Sequence, residues 1–510
     1  RPHPCLLSLV SPTNIKPPPN MKLQKLFWVA LAGGEIFSVD IHPDNSRFAV
    51  AQAGQVNLFR LKPIINHSDI LGFMRPATGD AERALEESEE GKMGMESQEI
   101  EKERQQICNV VDQVSDVHCV RFAPASRPNL LAASTADGLV LLFERCVGMP
   151  DGDAMQDETD DNSEDQRMEE WEKIHTFRSH TANAHAVEWS PDGKFLASCG
   201  FDNFIRIYDV EQKQEIKVLP ECSGFVRSLA WDPVGTFLAA QVGDQQQSIM
   251  VYNARLWKME KNINENYDCF KSPTASGLST QLSWSPNGQY LLGTAGRTGN
   301  ANVAPMFSRA DFSMVFMFKG HKEATTVASF NPVLFEDSDD PQGYITYFAV
   351  GSRDNRISIW SNKQREPVGL YCYFAGSVTD LSWSSDGFTL LASSEDGTVN
   401  SLTFNKDELG QPLTKGQMKD LLRREYGEIS DYAHLLEEYD PTKTAIAPIR
   451  PKSKSKVTKD SNHPVTHAPA VNMLQIRRPD EEEEQIDLEQ VQLDEEHTPK
   501  RPRENDVILE

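Results

Sequence analysis

HAVEWSPDGKFLASCGFDNFIRIYDV, at His185–Val210, decides the fold. It reads as an alternating apolar strand, a Pro-Asp-Gly turn, a second apolar strand, a polar turn and a third strand. The phrase returns as VRSLAWDPVGTFLAA from Val226, STQLSWSPNGQYLLGTA from Ser279 and VTDLSWSSDGFTLLASSEDGTVNSLTF from Val378. A repeat of this order every roughly 40–50 residues marks a propeller of four-stranded blades. Outward from His185, the units are Phe37–Leu61, Val117–Arg145, His185–Val210, Val226–Ala254, Ser279–Arg309, Thr325–Trp360 and Val378–Phe404. That makes about seven blades, a number that closes radially and leaves only short edges. Lys22–Val29 precedes the first unit and is expected to pair with the last blade and latch the ring.

The chain has 510 residues, 39% of them hydrophobic. That suffices for a core but not along the whole length, so part of the chain is read as solvated. The formal charge of −25 argues against a protein that coats DNA by neutralising phosphates and favours basic partners. Eight cysteines show no CxxC pair, and Cys119, Cys199 and Cys372 fall in or beside strand-like runs, which reads as a reducing compartment. No apolar run reaches the ~20 residues of a membrane span, and CLLSLV at Cys5–Val10 is too short for a signal segment.

The expected organisation is all-β: a disordered leader over 1–20, a propeller over 21–410, a short helical extension over 411–440 and a disordered charged tail over 441–510. Within Lys415–Tyr439, Met418, Leu421, Leu422 and Tyr426 recur at helical spacing. Long inserts are read between the first two blades, at Ala81–Gln106, and between the second and third, at Asp151–Glu172 (DGDAMQDETDDNSEDQRMEEWE). A further acidic loop, FEDSDDPQG, begins at Phe335. The acidic loops either hold a basic ligand or are solvated inserts.

No enzyme constellation appears. His175, His180 and His185 are spaced by five, which sends neighbours to different faces, whereas zinc needs close pairs. AGRTGNAN at Ala295–Asn302 lacks the Gly-Lys-Ser/Thr ending of a phosphate loop and reads as a blade turn. No HExxH, GxSxG or kinase set is present. No catalytic residue, metal or cofactor is therefore expected. The basic runs Arg450–Lys456 and Lys500–Arg503 are candidate nuclear-import signals.

The third unit resembles a WD40 blade, and the chain as a whole a seven-bladed WD40 β-propeller with acidic insert loops. The resemblance implies a hydrogen-bonded relay through Asp202, His180, Ser198 and Tyr208, whose loss costs roughly 1–3 kcal/mol. The sixth unit keeps His321, Asp354 and Trp360, with Val350 in place of the hydroxyl. Asp137 and Asp396 stand in incomplete sets.

A more specific resemblance follows. MKLQKLFWV at Met21–Val29, IFSVDIHPD at Ile36–Asp44, LAWDPVGTFLAAQ in the fourth unit, FKGHKEATTVASFNPVLFE at Phe318–Glu336, AVGSRDNRISIW at Ala349–Trp360 and KDELGQPLT at Lys406–Thr414 are similar to the HIRA histone chaperones. The likeness runs from Met21 to about Gly427. The small WD-repeat subunit of chromatin assembly factor one shares the DELG-x-PL phrase, but the opening MKL…W and the GHK…FNP phrase favour HIRA. The resemblance implies replication-independent deposition of histone H3–H4, chiefly variant H3.3, and transcriptional regulation in the nucleus. It implies an anti-silencing-function chaperone and a ubinuclein-like subunit as partners, with DNA met only indirectly and no membrane. In the family a short basic-then-apolar segment after the propeller binds the anti-silencing chaperone. Two segments resemble it loosely: Ile476-Arg477-Arg478-Pro479, and Pro499-Lys500-Arg501-Pro502-Arg503 followed by Val507-Ile508-Leu509. Rival readings are the chromatin-assembly subunit and, from another class, a WD-repeat adaptor that selects ubiquitin-ligase substrates.

Overall fold

Each blade grows from the same local chemistry. In five of the seven blades an apolar first strand ends in a Trp or Phe (Ile41 ends that of blade 1 and Glu336 that of blade 6), a turn reverses the chain, and the second strand is buried on both faces, as at Arg47–Gln52, Leu130–Thr135 and Thr389–Ser394. A strand buried on both faces lies between two sheets, so this pattern demands a neighbouring blade on either side. The computed structural model describes residues 22–26, 29, 34–61, 106–111, 115–146, 169–243, 247–263, 268–270, 280–340, 343–372 and 374–427. These form seven antiparallel sheets, six of four strands and one of five. In each, the first strand is innermost and touches the first strands of the two adjacent blades, which closes the ring around a central lumen.

Blade 7 is completed from the other end of the chain. Lys22–Lys25 pairs antiparallel with Val399–Thr403, Lys22 opposite Thr403 and Lys25 opposite Asn400. Leu26 adds a backbone bond to the Val399 carbonyl at 2.9 Å and is fully buried. The core lies between blades, in clusters such as Leu58, Phe122, Phe143 and Trp171 between blades 1 and 2. Fully burying each such side chain contributes about 1.5–3 kcal/mol. Three of the four Trp residues that end a first strand also bond back to the blade before, whereas Trp231 Nε1 has no hydrogen-bond partner. Trp189 donates to the Arg121 carbonyl at 3.0 Å, Trp284 to that of Ala230 at 3.2 Å and Trp383 to that of Ser329 at 3.2 Å.

The inserts lie elsewhere than the sequence suggests. Gln106–Val111 is the fourth strand of blade 1 and Glu170–Phe177 the fourth of blade 2, so both inserts fall within a blade, between its third and fourth strands. The charged spelling Glu169-Glu170-Trp171-Glu172 conceals a strand because only one residue faces the core. Trp171 is 7% exposed and its ring meets Phe122 at 5.8 Å, while Glu169 accepts from Arg145 at 2.9 Å and pairs with Arg47. Both inserts depart from the face that carries the turns between first and second strands. There Leu61 N donates to the Ser46 carbonyl and Arg145 N to that of Asn129, each at 2.9 Å. Likewise Phe335 and Glu336 end a strand of blade 6, with Phe335 fully buried. The leader over 1–20, most of both inserts and the tail over 441–510 lie outside the described residues.

After blade 7 the chain turns back across that same face. Helix α1 (Lys406–Leu409) is capped by Asn405 with Glu408 reciprocating, and α2 (Lys415–Tyr426) by Thr414 with Gln417. Between them Gln411–Leu413 joins the long first strand of blade 6. Glu336 N donates to the Gln411 carbonyl and Leu413 N to the Leu334 carbonyl, both at 2.8 Å. Helix α2 ends at Gly427, whose φ of 77° favours glycine.

Candidate functional site

A platform is defined by what holds its surface still, and three side-chain systems do so here. The first is the relay. In blade 3, His180 Nδ1 lies 2.9 and 3.0 Å from the two Asp202 oxygens, His180 Nε2 lies 2.7 Å from Ser198 Oγ, and Ser198 Oγ lies 3.0 Å from Tyr208 OH. Asp202 also accepts from Thr181 N and Phe204 N, each at 3.2 Å. Burial alone would raise the Asp202 pKa, but the His180 ring and the two amides hold it down at about 2. An ionised Asp202 can only accept, so His180 donates Nδ1–H to it, and in the neutral ring Nε2 is left to accept from the Ser198 hydroxyl.

In blade 6 the sequence reading finds no hydroxyl, with Val350 at the Ser198 position. The structure supplies one from the facing strand. Ser358 pairs directly with Val350 across the ladder, and its Oγ sits 2.8 Å from His321 Nε2 while accepting from Trp360 Nε1 at 2.8 Å. His321 Nδ1 reaches Asp354 at 3.0 Å. The relay is thus complete with its hydroxyl moved by one cross-strand step. In blade 7 Asp396 serves backbone and hydroxyl donors instead, accepting from Ala375 N at 2.7 Å and from Thr398.

The second system crosses the lumen, and sequence reasoning missed it. Arg121 of blade 2 donates to Asp380 of blade 7 through Nη1 at 2.8 Å and Nη2 at 3.2 Å, and to Ser38 of blade 1 at 2.8 Å. Asp380 accepts in addition from Ser38 Oγ at 2.6 Å and Val39 N at 3.1 Å. Gln281 of blade 5, with its amide turned so that nitrogen faces Asp380 Oδ1 (2.6 Å), accepts from Arg121 Nη2 at 2.8 Å. Four blades are tied at one level. Asp40 and Glu188 share that neighbourhood, so three carboxylates face one guanidinium. Burial pushes Asp40 up to about 6 and Glu188 up to about 8, with Arg121 opposing both shifts. An acid whose folded pKa is raised binds its proton more tightly in the native state. Its contribution is therefore fully present below the unfolded value and is lost as pH climbs. Unfolding midpoints in urea should fall between pH 5 and pH 8.5, and Glu188→Gln should flatten that fall; a variant with the wild-type slope would show that Glu188 titrates elsewhere.

The third system clasps α2 to blades 4 and 5. Arg309 Nη1 bonds the fully buried Asp232 at 2.7 Å, and its guanidinium lies over the rings of Phe237 (4.8 Å), Tyr426 (5.2 Å) and Trp284 (5.7 Å). Tyr426 OH donates to the Asn287 carbonyl at 2.6 Å, and Leu422 packs on Val234. Gly288 permits this approach: its φ is 73°, and a Cβ there would stand 2.9 Å from both Asp232 Oδ1 and Tyr426 OH.

The other singled-out residues disperse. His175 stacks edgewise on Phe177 at 4.4 Å, and His185 lies at the lumen mouth against Phe201 at 5.0 Å. Among the described residues no group of three or more His, Cys, Asp or Glu is placed to hold a metal ion, and no helix is long and apolar enough to cross a membrane. Arg477, Arg478, Pro479, Lys500, Arg501, Pro502 and Arg503 lie outside the described residues.

With this geometry in hand, comparison with known proteins is decisive at the level of family. The CAF1B/HIR1 beta-propeller domain matches residues 92–409, more than half of the chain. The chain belongs to that family. Its relatives include the protein HIR1 of Cryptococcus neoformans, 28% identical over 471 residues (90% of this chain, 47% of the relative). HIRA of Takifugu rubripes is 30% identical and human HIRA 29%, each over 419 residues, covering 80% of this chain and 37% and 38% of the relatives. The chain thus spans less than half the length of these curated relatives. Membership in the HIRA family of WD-repeat histone chaperones accords with the phrases at Phe318–Glu336, which runs from the end of blade 5 through the first strand of blade 6, and Lys406–Thr414, which leads into helix α2.

Proposed function

We propose that this chain is a non-catalytic scaffold of nucleosome assembly. It would hold an anti-silencing-function histone chaperone and a ubinuclein-like subunit together in the nucleus, for replication-independent deposition of H3–H4 (variant H3.3) and transcriptional regulation. The observation that carries this reading is the alignment with HIRA and HIR1 proteins over 80–90% of the chain. The physical logic is co-localisation: two chaperones tethered to one ring meet at a raised effective concentration without any new contact between them. A chain of net charge −25 repels DNA and attracts histones, so DNA is met only through them. Of the two candidate chaperone-binding segments, Ile476–Pro479 and Pro499–Arg503, the second is taken for the test, because the apolar Val507–Leu509 beyond Lys500, Arg501 and Arg503 suits strand addition to a partner sheet. Replacing Lys500, Arg501 and Arg503 together by Ala should weaken binding of the anti-silencing chaperone at least about tenfold while the ring melts as wild type. Unchanged affinity in a direct titration would remove this segment. The joint description CAF1B/HIR1 favours one second reading, the small subunit of chromatin assembly factor one.

A further inference from the structure

The lumen opens, on the face opposite the clasp, between two unlike crescents. Blades 1 to 4 present a continuous row of half-buried rings. Phe37 meets His118 at 5.2 Å, His118 meets His185 at 5.5 Å, His185 stacks on Phe201 at 5.0 Å, and Phe201 stacks on Phe225 at 4.9 Å. Blades 6 and 7 present Thr326 and Thr379, whose hydroxyls are spent on the carbonyls of Val378 and Ile36. The rings are uncharged, since burial lowers the pKa of His118 and takes that of His185 down to about 3. His118 Nε2 and His185 Nδ1 are shielded from water and have no hydrogen-bond partner.

The rim around this mouth is charged unevenly. Glu395 on blade 7, Glu35 on blade 1, and Asp116 and Asp137 on blade 2 are exposed, and none of these carboxylates has a hydrogen bond or ion pair among the described residues. They adjoin one another: a Cβ on Gly397 would stand 2.7 Å from the Gly34 carbonyl, and Asp137 N bonds Ser115 Oγ beside Asp116. Cations stand on both sides: Lys25 lies close enough to Asp396 of blade 7 to lower its pKa, Arg178 is exposed after the last strand of blade 2, and across the ring the exposed Glu323 adjoins Lys322. Lys322 and Arg353 are exposed on blade 6, and Arg227 of blade 4 lies close enough to help lower the His185 pKa while its Nε donates to the Gly243 carbonyl at 3.0 Å.

We propose that this mouth docks a short basic segment of a partner chain, which lays an apolar residue on the ring row and its cations on the carboxylates of blades 7, 1 and 2. The ring row sets the polarity: the apolar residue goes onto the rings and the charges go to the exposed carboxylates beside them. The surface fits any partner of this chemistry, whichever assembly the ring serves.

The test uses the full chain and a labelled synthetic peptide, Lys-Arg-Lys-Leu-Arg-Lys, in fluorescence anisotropy. A Gly-for-Leu version and an all-Glu version are the companions. The basic peptide should bind and the acidic one should not. Glu35→Lys with Asp116→Lys should weaken binding about tenfold, whereas the equal charge change Glu211→Lys with Asp420→Lys on the other face should cost less than about twofold. Those two control carboxylates are 84% and 79% exposed. Phe201→Ala and the Gly peptide should weaken binding alike, and together by no more than either alone; the peptide arm holds even if that variant fails to fold. No binding of the basic peptide, equal losses from the two charge pairs, or indifference to both the ring and the Leu would overturn the proposal.

Discussion

Arg309→Ala should destabilise the ring by about 3–5 kcal/mol, the range for removing one partner of a buried ion pair. The size follows from Asp232, which is fully buried and would keep only the amides of Val234, Thr236 and Phe237, at 3.0–3.3 Å. Truncation also uncovers the ring faces of Phe237, Trp284 and Tyr426 that the guanidinium covers. Arg309→Lys should recover only part of the loss, because an ammonium keeps the charge but not the planar stack. Hydrogen exchange should show α2 losing protection before the blades do, since its apolar contact is narrow, chiefly Leu422 on Val234 with Met418 and Tyr426 beside it. A wild-type urea midpoint for Arg309→Ala, with α2 still protected, would mean that the clasp is held by something else.

Arg121→Leu should be comparably severe, again about 3–5 kcal/mol, for a different reason. It leaves Asp380, which is 2% exposed, together with Asp40 and Glu188 around the lumen without the guanidinium that faces all three. The same variant with Asp380→Asn should be less destabilised than the single change, because the buried charge leaves with its partner. A double-mutant cycle in urea gives the coupling directly. If Arg121→Leu and Asp380→Asn cost additive amounts, the guanidinium and carboxylate do not act as a unit, and the tie between blades 2 and 7 is only geometric.

The blades were legible because the first three strands of each are joined by short turns and contact one another locally. Strand alternation, the Pro-Asp-Gly turn and the closing Trp are all local signals, and the latch at Lys22–Lys25 follows from the need to cover an edge. The blade 3 relay was legible for the same reason. The blade 6 relay was misread because its hydroxyl moved from position 350 to 358, straight across the ladder, where it reaches the same histidine. Both long inserts were placed a strand too late, since the fourth strand of a blade is half-exposed and takes charged residues freely; in Glu170–Phe177 only Trp171 and Phe177 are buried, and Trp171 stands alone among the acidic residues at its start. The apolar stripe of α2 could be read, but not its seat, which lies between 136 and 192 residues upstream at Val234, Asn287 and Gln289. The lumen tie was invisible in principle. Arg121 and Asp380 are 259 positions apart and meet only because the ring closes.

Affinity purification of the full chain from nuclear extract, with quantitative identification of what comes with it, bears most directly on whether this ring is a histone-chaperone platform. The expected result is H3–H4 together with an anti-silencing-function chaperone and a ubinuclein-like subunit. Recovery of the large subunits of chromatin assembly factor one would move the chain to the other branch of its family, and recovery of ubiquitin-ligase components with no histone or histone chaperone would contradict the platform outright.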